Sequence, residues 1–266
     1  MQSDNLEPAY VHRRSLRSVA TTLLRPKLYS GLARTFRQSA RPVDFLLRYL
    51  RLRGSYPASI ALRSPIGRID VTAFTKTDLD TINEIFFWDD YGGRREDRVI
   101  VDFGANVGVS ALYFLSRNPQ AKVYCYEPLP RNIERLRHNL RSFEGRYELT
   151  EAAVCEQDGT ADFGWEETGK FGGVGVPSEQ RMIVPAVDSN RVLSEIIARH
   201  GEIDLLKMDT EGSEGVLTAR LTPELARHIR RIAMECQFEE NPLPDTHDMS
   251  LRWPITTLLR RTGVGG

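Results

Sequence analysis

From Val99 to Phe238 short apolar runs alternate with amphipathic stretches, and that alternation admits few architectures. Val99-Ile100-Val101-Asp102, "KVYCYEP" (122–128), "RYELTEAAV" (146–154), "RMIVPAVD" (181–188), "IDLLKMD" (203–209) and "RIAMECQF" (231–238) read as strands. Between them a helix from Val107 to about Ser116 is closed by Asn118-Pro119. A second places Ile133, Leu136 and Leu140 at i, i+3 and i+7. "NRVLSEIIARH" is a third, and Thr222-Pro223-Glu224 opens a fourth with Thr at the cap and Pro in the first turn. Strands and helices at this period predict an α/β fold with a doubly wound, mostly parallel sheet. Pro185 predicts an edge position for 181–188.

Upstream, residues 59–74 form two alternating segments around Ser64-Pro65-Ile66-Gly67, the chemistry of a hairpin. A helical stretch from Asp80 to Trp88 leads to a break at Tyr91-Gly92-Gly93. The chain divides into a basic helical N-terminal arm (1–58), a hairpin and helix (59–97) and a main domain (98–266). It has no internal repeat and no low-complexity segment.

Charge is balanced overall, 36 Lys+Arg against 36 Asp+Glu in 266 residues, which gives no reason to expect nucleic acid as a partner. The balance conceals an asymmetry. Residues 13–53 hold eleven Lys/Arg and one acid, Asp44; with Asp4 and Glu7, residues 1–53 carry +8 and the rest −8. Leu16-Val19-Ala20-Leu23-Leu24 and Phe45-Leu46-Tyr49-Leu50 are helically spaced within that arm. Such an arm is either a helical cap folded on the domain or a docking element for an anionic membrane or an acidic protein. No apolar run reaches the 18 residues of a transmembrane helix, and the start lacks a secretory signal pattern. Cys125, Cys155 and Cys236 are odd in number and widely spaced, the mark of reduced thiols in a cytoplasmic protein.

In open α/β sheets, ligands bind beyond the carboxyl ends of the strands. Here those ends carry acids: Asp102, Glu127, Asp209 and Glu235. Gly104 permits a sharp turn, and Gly108 permits the next helix to start close to a ligand. Asn106 lies between them, so the dinucleotide pattern G-x-G-x-x-G is absent. Asp102 suits a ligand with a nearby cation, and Glu127 suits ribose hydroxyls. Together they describe a nucleoside bearing positive charge. Lys207 stands two residues before Asp209, on the same face of one strand, and if buried it requires a carboxylate.

"VDFGANVGVSALYF", "YCYEPLPRNIERLRHNL", "EAAVCEQDG" and "IDLLKMDTEGSE" together resemble the FkbM-type S-adenosylmethionine-dependent methyltransferases, over roughly residues 70–240. The resemblance implies the class I methyltransferase sheet, order 3-2-1-4-5, with S-adenosylmethionine across the tips of strands 1 and 2 in a catalytic domain at 98–266. It implies Asp102, Gly104, Asn106 and Gly108 beside the methionine part, with Ser110. Glu127 would take the ribose hydroxyls, next to Pro128, and Ala153 would lie near adenine. Asp209 and Glu211 would face the transferred methyl, and Asp78 and Tyr91 match residues found just before the domain. The implied reaction is methylation of a hydroxyl on a sugar or macrolide-type acceptor.

Two departures bear on catalysis. Where family members often carry Glu-x-His, the fifth strand ends Glu235-Cys236-Gln237. The expected catalytic set is therefore Asp209, Glu211, Lys207 and Glu235, with Asp209 as base, or with the three acids holding magnesium. Second, two further strands usually follow "LLRRTG", whereas this sequence stops at Gly266, so the expectation is a sheet lacking its later strands or a truncated chain. A nicotinamide-dependent oxidoreductase and a non-catalytic nucleotide binder with a docking arm stand as alternatives. "GKFGGVGVP" (169–177) reads as a mobile loop that could cover substrate. Of His12, His138, His200, His228 and His247, only His247 falls in a loop from which it could reach one.

Overall fold

The computed structural model describes residues 26–166 and 172–262. Helices α1 (Pro26–Gln38) and α2 (Pro42–Tyr49) begin it. The Leu16–Leu24 segment of the arm lies outside the described residues. Strands β1 (Ala58–Ser64) and β2 (Gly67–Ala73) form the expected hairpin, with Ser64 paired to Gly67 across the turn. Helix α3 (Lys76–Ile82) starts four residues before the expected helix. Thr75 caps it: its hydroxyl accepts from the Asp78 N–H, and the Asp78 carboxylate accepts from the Thr75 N–H at 2.9 Å. The chain then widens into a π-helical stretch, Asn83–Trp88, closed by Asp89 at φ 58°.

Strand β3 (Val99–Phe103), helix α4 (Val109–Leu115), strand β4 (Lys122–Tyr126), helix α5 (Pro130–Leu140) and strand β5 (Tyr147–Thr150) follow as read from the sequence. The run 146–154, expected as one strand, divides at Glu151-Ala152. Its second part, β6 (Ala153–Cys155), joins a separate sheet with β7 (Gly159–Trp165), β8 (Gly172–Val174) and β9 (Gln180–Asp188). That sheet is ordered β6-β9-β7-β8, so β9 is an interior strand and the edge assignment is corrected. Pro185 is tolerated because pairing with β6 begins only at Ala186; at Pro185 itself β7 is the partner, through Thr160.

Helix α6 (Ser189–His200), strand β10 (Leu205–Met208), helices α7 (Glu214–Ala219) and α8 (Pro223–Ala226) and strand β11 (Arg231–Met234) complete the alternation. Strands β12 (His247–Arg252) and β13 (Ile255–Arg260) then form a hairpin. The principal sheet is ordered β12-β13-β11-β10-β3-β4-β5. Its parallel part, from β5 inward to β11, is the 3-2-1-4-5 order; β13 adds antiparallel to β11. The expected loss of later strands is thereby corrected. The tight turn at Trp253-Pro254 folds 247–260 back on itself, and Ile255 and Leu258 bury against the sheet.

Every side chain from Ile100 to Phe103 and from Val123 to Tyr126 is buried, as a sheet covered on both faces demands. Each full burial of a Val, Ile or Phe contributes about 1.5–3 kcal/mol. The hairpin β1–β2 is tied to the domain by Asn139, whose Oδ1 accepts from Thr72 N at 2.8 Å while its Nδ2 donates to Val107 O at 2.9 Å. His247 is not in a loop near substrate. It is buried in β12, its Nε2 3.0 Å from Ile229 O, because the hairpin draws it into the sheet.

Candidate active site

Four strand ends converge where the strand order reverses, between the parallel strands β3 and β10. Asp102 is fully buried at the end of β3. Its Oδ1 lies 2.9 Å from the Lys207 ammonium, and its Oδ2 accepts from the Ser110 hydroxyl at 2.5 Å. Lys207 is 1% exposed. It also donates to Gly104 O at 2.9 Å and lies 3.5 Å from Asp209 Oδ2. Tyr91 donates its hydroxyl to the same Asp209 oxygen at 2.9 Å, and its ring centroid is 5.2 Å from the ammonium. Asp102, placed by the resemblance at the methionine, thus sits beneath the loop and reaches the surface of the site through Lys207.

Burial works against the Lys207 ammonium, but Asp102 and Asp209 outweigh it and hold its pKa above the ordinary lysine value. Burial, then Asp209 and Glu235, push the Tyr91 hydroxyl well above its usual range. Lys207 is a cation and Tyr91 a neutral donor at neutral pH.

Gly104 takes φ +78°, and a Cβ there would lie 1.9 Å from the Asp209 carbonyl oxygen. Glycine is required because the loops after β3 and β10 pass in contact. Asn106 follows at φ +48°, its N–H donating to Glu127 Oε2 at 2.9 Å. Glu127, at the end of β4, also accepts from Leu129 N at 3.0 Å and Asn132 Nδ2 at 3.3 Å. It is 4% exposed, and burial raises its pKa to about 7 despite these donors. One residue absent from the sequence reading organises the far side. The buried Glu214 carboxylate accepts from Thr210 N at 2.6 Å and Gly212 N at 2.9 Å, which shapes the turn that holds Glu211 at φ +55°. An acid in the first turn of α7 reads in sequence as an ordinary dipole partner, and only the loop's curvature reveals its use.

Two cavities meet at Gly104, Asn106, Asp209 and Glu211. One, about 580 Å³, has Glu127 and Pro128 on one side and apolar walls from Leu129, Ala153 and Phe163. The division of 146–154 into two strands places Ala152–Val154 there. The other, about 1220 Å³, takes in Asp78, Trp88, Tyr91, Lys207, Glu235 and, at the hairpin tip, Trp253. Gly108 lines neither; it opens α4 in the left-handed region, against Leu136. Ser110 lines the larger cavity and holds Asp102. Among the described residues no three His, Cys, Asp or Glu side chains group as metal ligands. The alternative in which Asp209, Glu211 and Glu235 hold magnesium is therefore not supported, and the cation beside Asp209 is Lys207.

A 3-2-1-4-5 sheet with its cleft where the strand order reverses, an acid at the end of the second strand and an antiparallel hairpin beyond the fifth define the class I methyltransferase fold. Residues 102–251 match the methyltransferase FkbM domain, and the chain belongs to that family. The 2-O-methyltransferase NoeI of Sinorhizobium fredii is 30% identical over 141 residues, 47% of this chain and 58% of NoeI. The antimetabolite synthetase AmbE of Pseudomonas aeruginosa is 26% identical over 137 residues, 51% of this chain and 6% of AmbE. The chain therefore matches little more than half of one curated relative and a small part of the other. Among solved structures, a methyltransferase from Geobacter sulfurreducens is 13% identical with a TM-score of 0.37, covering 62% of this chain and 72% of its own.

Proposed function

We propose that the chain transfers the methyl group of S-adenosylmethionine to an acceptor hydroxyl, on a sugar or a macrolide-type compound. The observation that carries the cofactor reading is Glu127. A buried carboxylate poised near neutrality at the second strand end, above an apolar slot lined by Ala153 and Phe163, fits a ribose diol and its base. Gly104 and Asn106 border the junction of the two cavities and accommodate the methionine part. When bound, the sulfonium supplies an electrophilic methyl whose bonding pair returns to sulfur. The name of the NoeI relative, a 2-O-methyltransferase, favours oxygen as the atom methylated.

The larger cavity takes the acceptor. Most of the rate comes from holding the nucleophile in line with the methyl. Asp209 accepts the hydroxyl proton as the bond forms, oriented by Lys207 and Tyr91. Neither of those partners can serve as base, since one is held charged and the other protonated. Glu211 and Glu235 line the acceptor side.

Calorimetry with S-adenosylhomocysteine and with NAD tests the cofactor. Binding of the first is expected, with Glu127→Ala losing roughly tenfold to a hundredfold in affinity, about 1.5–3 kcal/mol of charge-assisted hydrogen bonding. Tight NAD binding and no response to S-adenosylhomocysteine overturns it. With acceptor in hand, Asp209→Asn is expected to depress kcat by roughly a hundredfold or more while binding cofactor product normally. Near-normal turnover removes the base assignment.

A further inference from the structure

From residue 29 onward, helix α1 carries its small residues inward and its large apolar ones outward. Gly31 sits on the Trp88 indole, where a Cβ would come within 2.6 Å, and Thr35, 2% exposed, turns its hydroxyl onto Gly31 O at 2.9 Å. On the other side Tyr29, Leu32, Ala33 and Phe36 recur at i, i+3, i+4 and i+7. Tyr29, Leu32 and Phe36 are 60%, 42% and 52% exposed. An ordinary surface helix does the reverse. Val43 in α2, and Leu50 and Leu52 just after it, are exposed as well. Six of the eleven exposed large hydrophobic side chains among the described residues therefore come from 29–52.

Beside this stripe Arg37, Arg63, Arg95 and Arg117 line a hollow of about 690 Å³. Among the described residues no carboxylate pairs with any of the four. Arg63 donates instead to the carbonyls of Arg37 and Ser39, at 3.3 and 3.1 Å, and Arg117 stacks 5.2 Å from the Tyr113 ring. Residues 26–53 hold seven Lys/Arg against Asp44 alone. Four guanidinium groups gathered in one hollow repel each other unless an anion lies between them.

We propose that this face of α1 and α2 docks on an anionic lipid surface. Tyr29, Leu32 and Phe36 enter the headgroup boundary, and the arginine hollow takes lipid phosphates. The pattern favours lipid over an acidic protein, because aromatic and aliphatic tips along one helix with guanidiniums beside them match an interfacial helix. A lipid boundary accepts such tips without a shaped counterpart, whereas a protein interface requires complementarity. The charge is complementary to anionic headgroups, each basic group near such a surface adding to the attraction.

Cosedimentation of the full chain with vesicles of phosphatidylcholine, alone or mixed with phosphatidylglycerol, tests this. At low salt the chain is expected to sediment with the mixed vesicles only, and to release as salt rises. Leu32→Ser with Phe36→Ser, and separately Arg37→Glu with Arg95→Glu, are each expected to weaken binding by about tenfold or more. All four side chains stand off the core, so circular dichroism and S-adenosylhomocysteine binding should be unchanged. No sedimentation with phosphatidylglycerol at low salt overturns the proposal, as does wild-type binding by the Leu32/Phe36 variant. So does a dimer in the ultracentrifuge that this variant dissolves without any vesicle binding, which assigns the stripe to a second copy of the chain.

Discussion

Lys207 compensates two carboxylates from within the sheet, and its removal strands one of them. Lys207→Met leaves Asp102 fully buried and uncompensated, which costs about 3–5 kcal/mol. Adding Asp102→Asn removes the orphaned charge, so the double variant is expected to recover much of that loss in chemical denaturation. A double variant no more stable than Lys207→Met refutes the pairing as the cause. Glu127 supports a second prediction. Donors from ribose hydroxyls favour its ionised form, and burial sets its pKa at about 7. Affinity for S-adenosylhomocysteine should therefore weaken progressively as pH falls below about 7, and Glu127→Gln should flatten that dependence. Both residues were legible in the sequence as strand-end acids or their neighbours. What was not legible is that Asp102 is the carboxylate that a buried Lys207 requires, at 2.9 Å across two neighbouring strands.

At the scale of elements, the parallel strands were legible because burial on both faces leaves an unbroken apolar signature. The hairpin β12–β13 was not. Its residues alternate and are half exposed, with Trp253 68% exposed at the turn, and such segments differ little from a polar loop in sequence. The division of 146–154 was hidden for another reason, since two short strands in different sheets share one apolar run. The hairpin both covers the edge of β11 and carries Trp253 to the larger cavity, proposed above for the acceptor. Trp253→Ala is expected to raise KM for the acceptor severalfold while leaving cofactor-product affinity and melting temperature within error, because the indole is mostly solvated. Unchanged KM removes Trp253 from acceptor recognition.

Over the whole molecule, two buried groups titrate against each other. Glu127 has a raised pKa, so between about 4.5 and 7 the native state holds a proton that the unfolded chain has lost, and stability falls as pH rises. His247 is the opposite case. Burial lowers its pKa below 6.5, so its contribution is present above that value and is lost as pH falls. Melting temperature measured from pH 4.5 to 7 should tilt upward with pH in Glu127→Gln relative to the unaltered chain, and a parallel pair of curves would contradict the assignment.

Trp88 is one of three tryptophans in the chain. One part of its indole bears the backbone of α1 at Gly31, and the residue also forms a wall of the larger cavity. With Trp165 and Trp253 replaced by phenylalanine, the emission of this single fluorophore becomes a gauge read from both sides. It registers how the arm is seated and, in the same spectrum, whether the cavity behind it is filled.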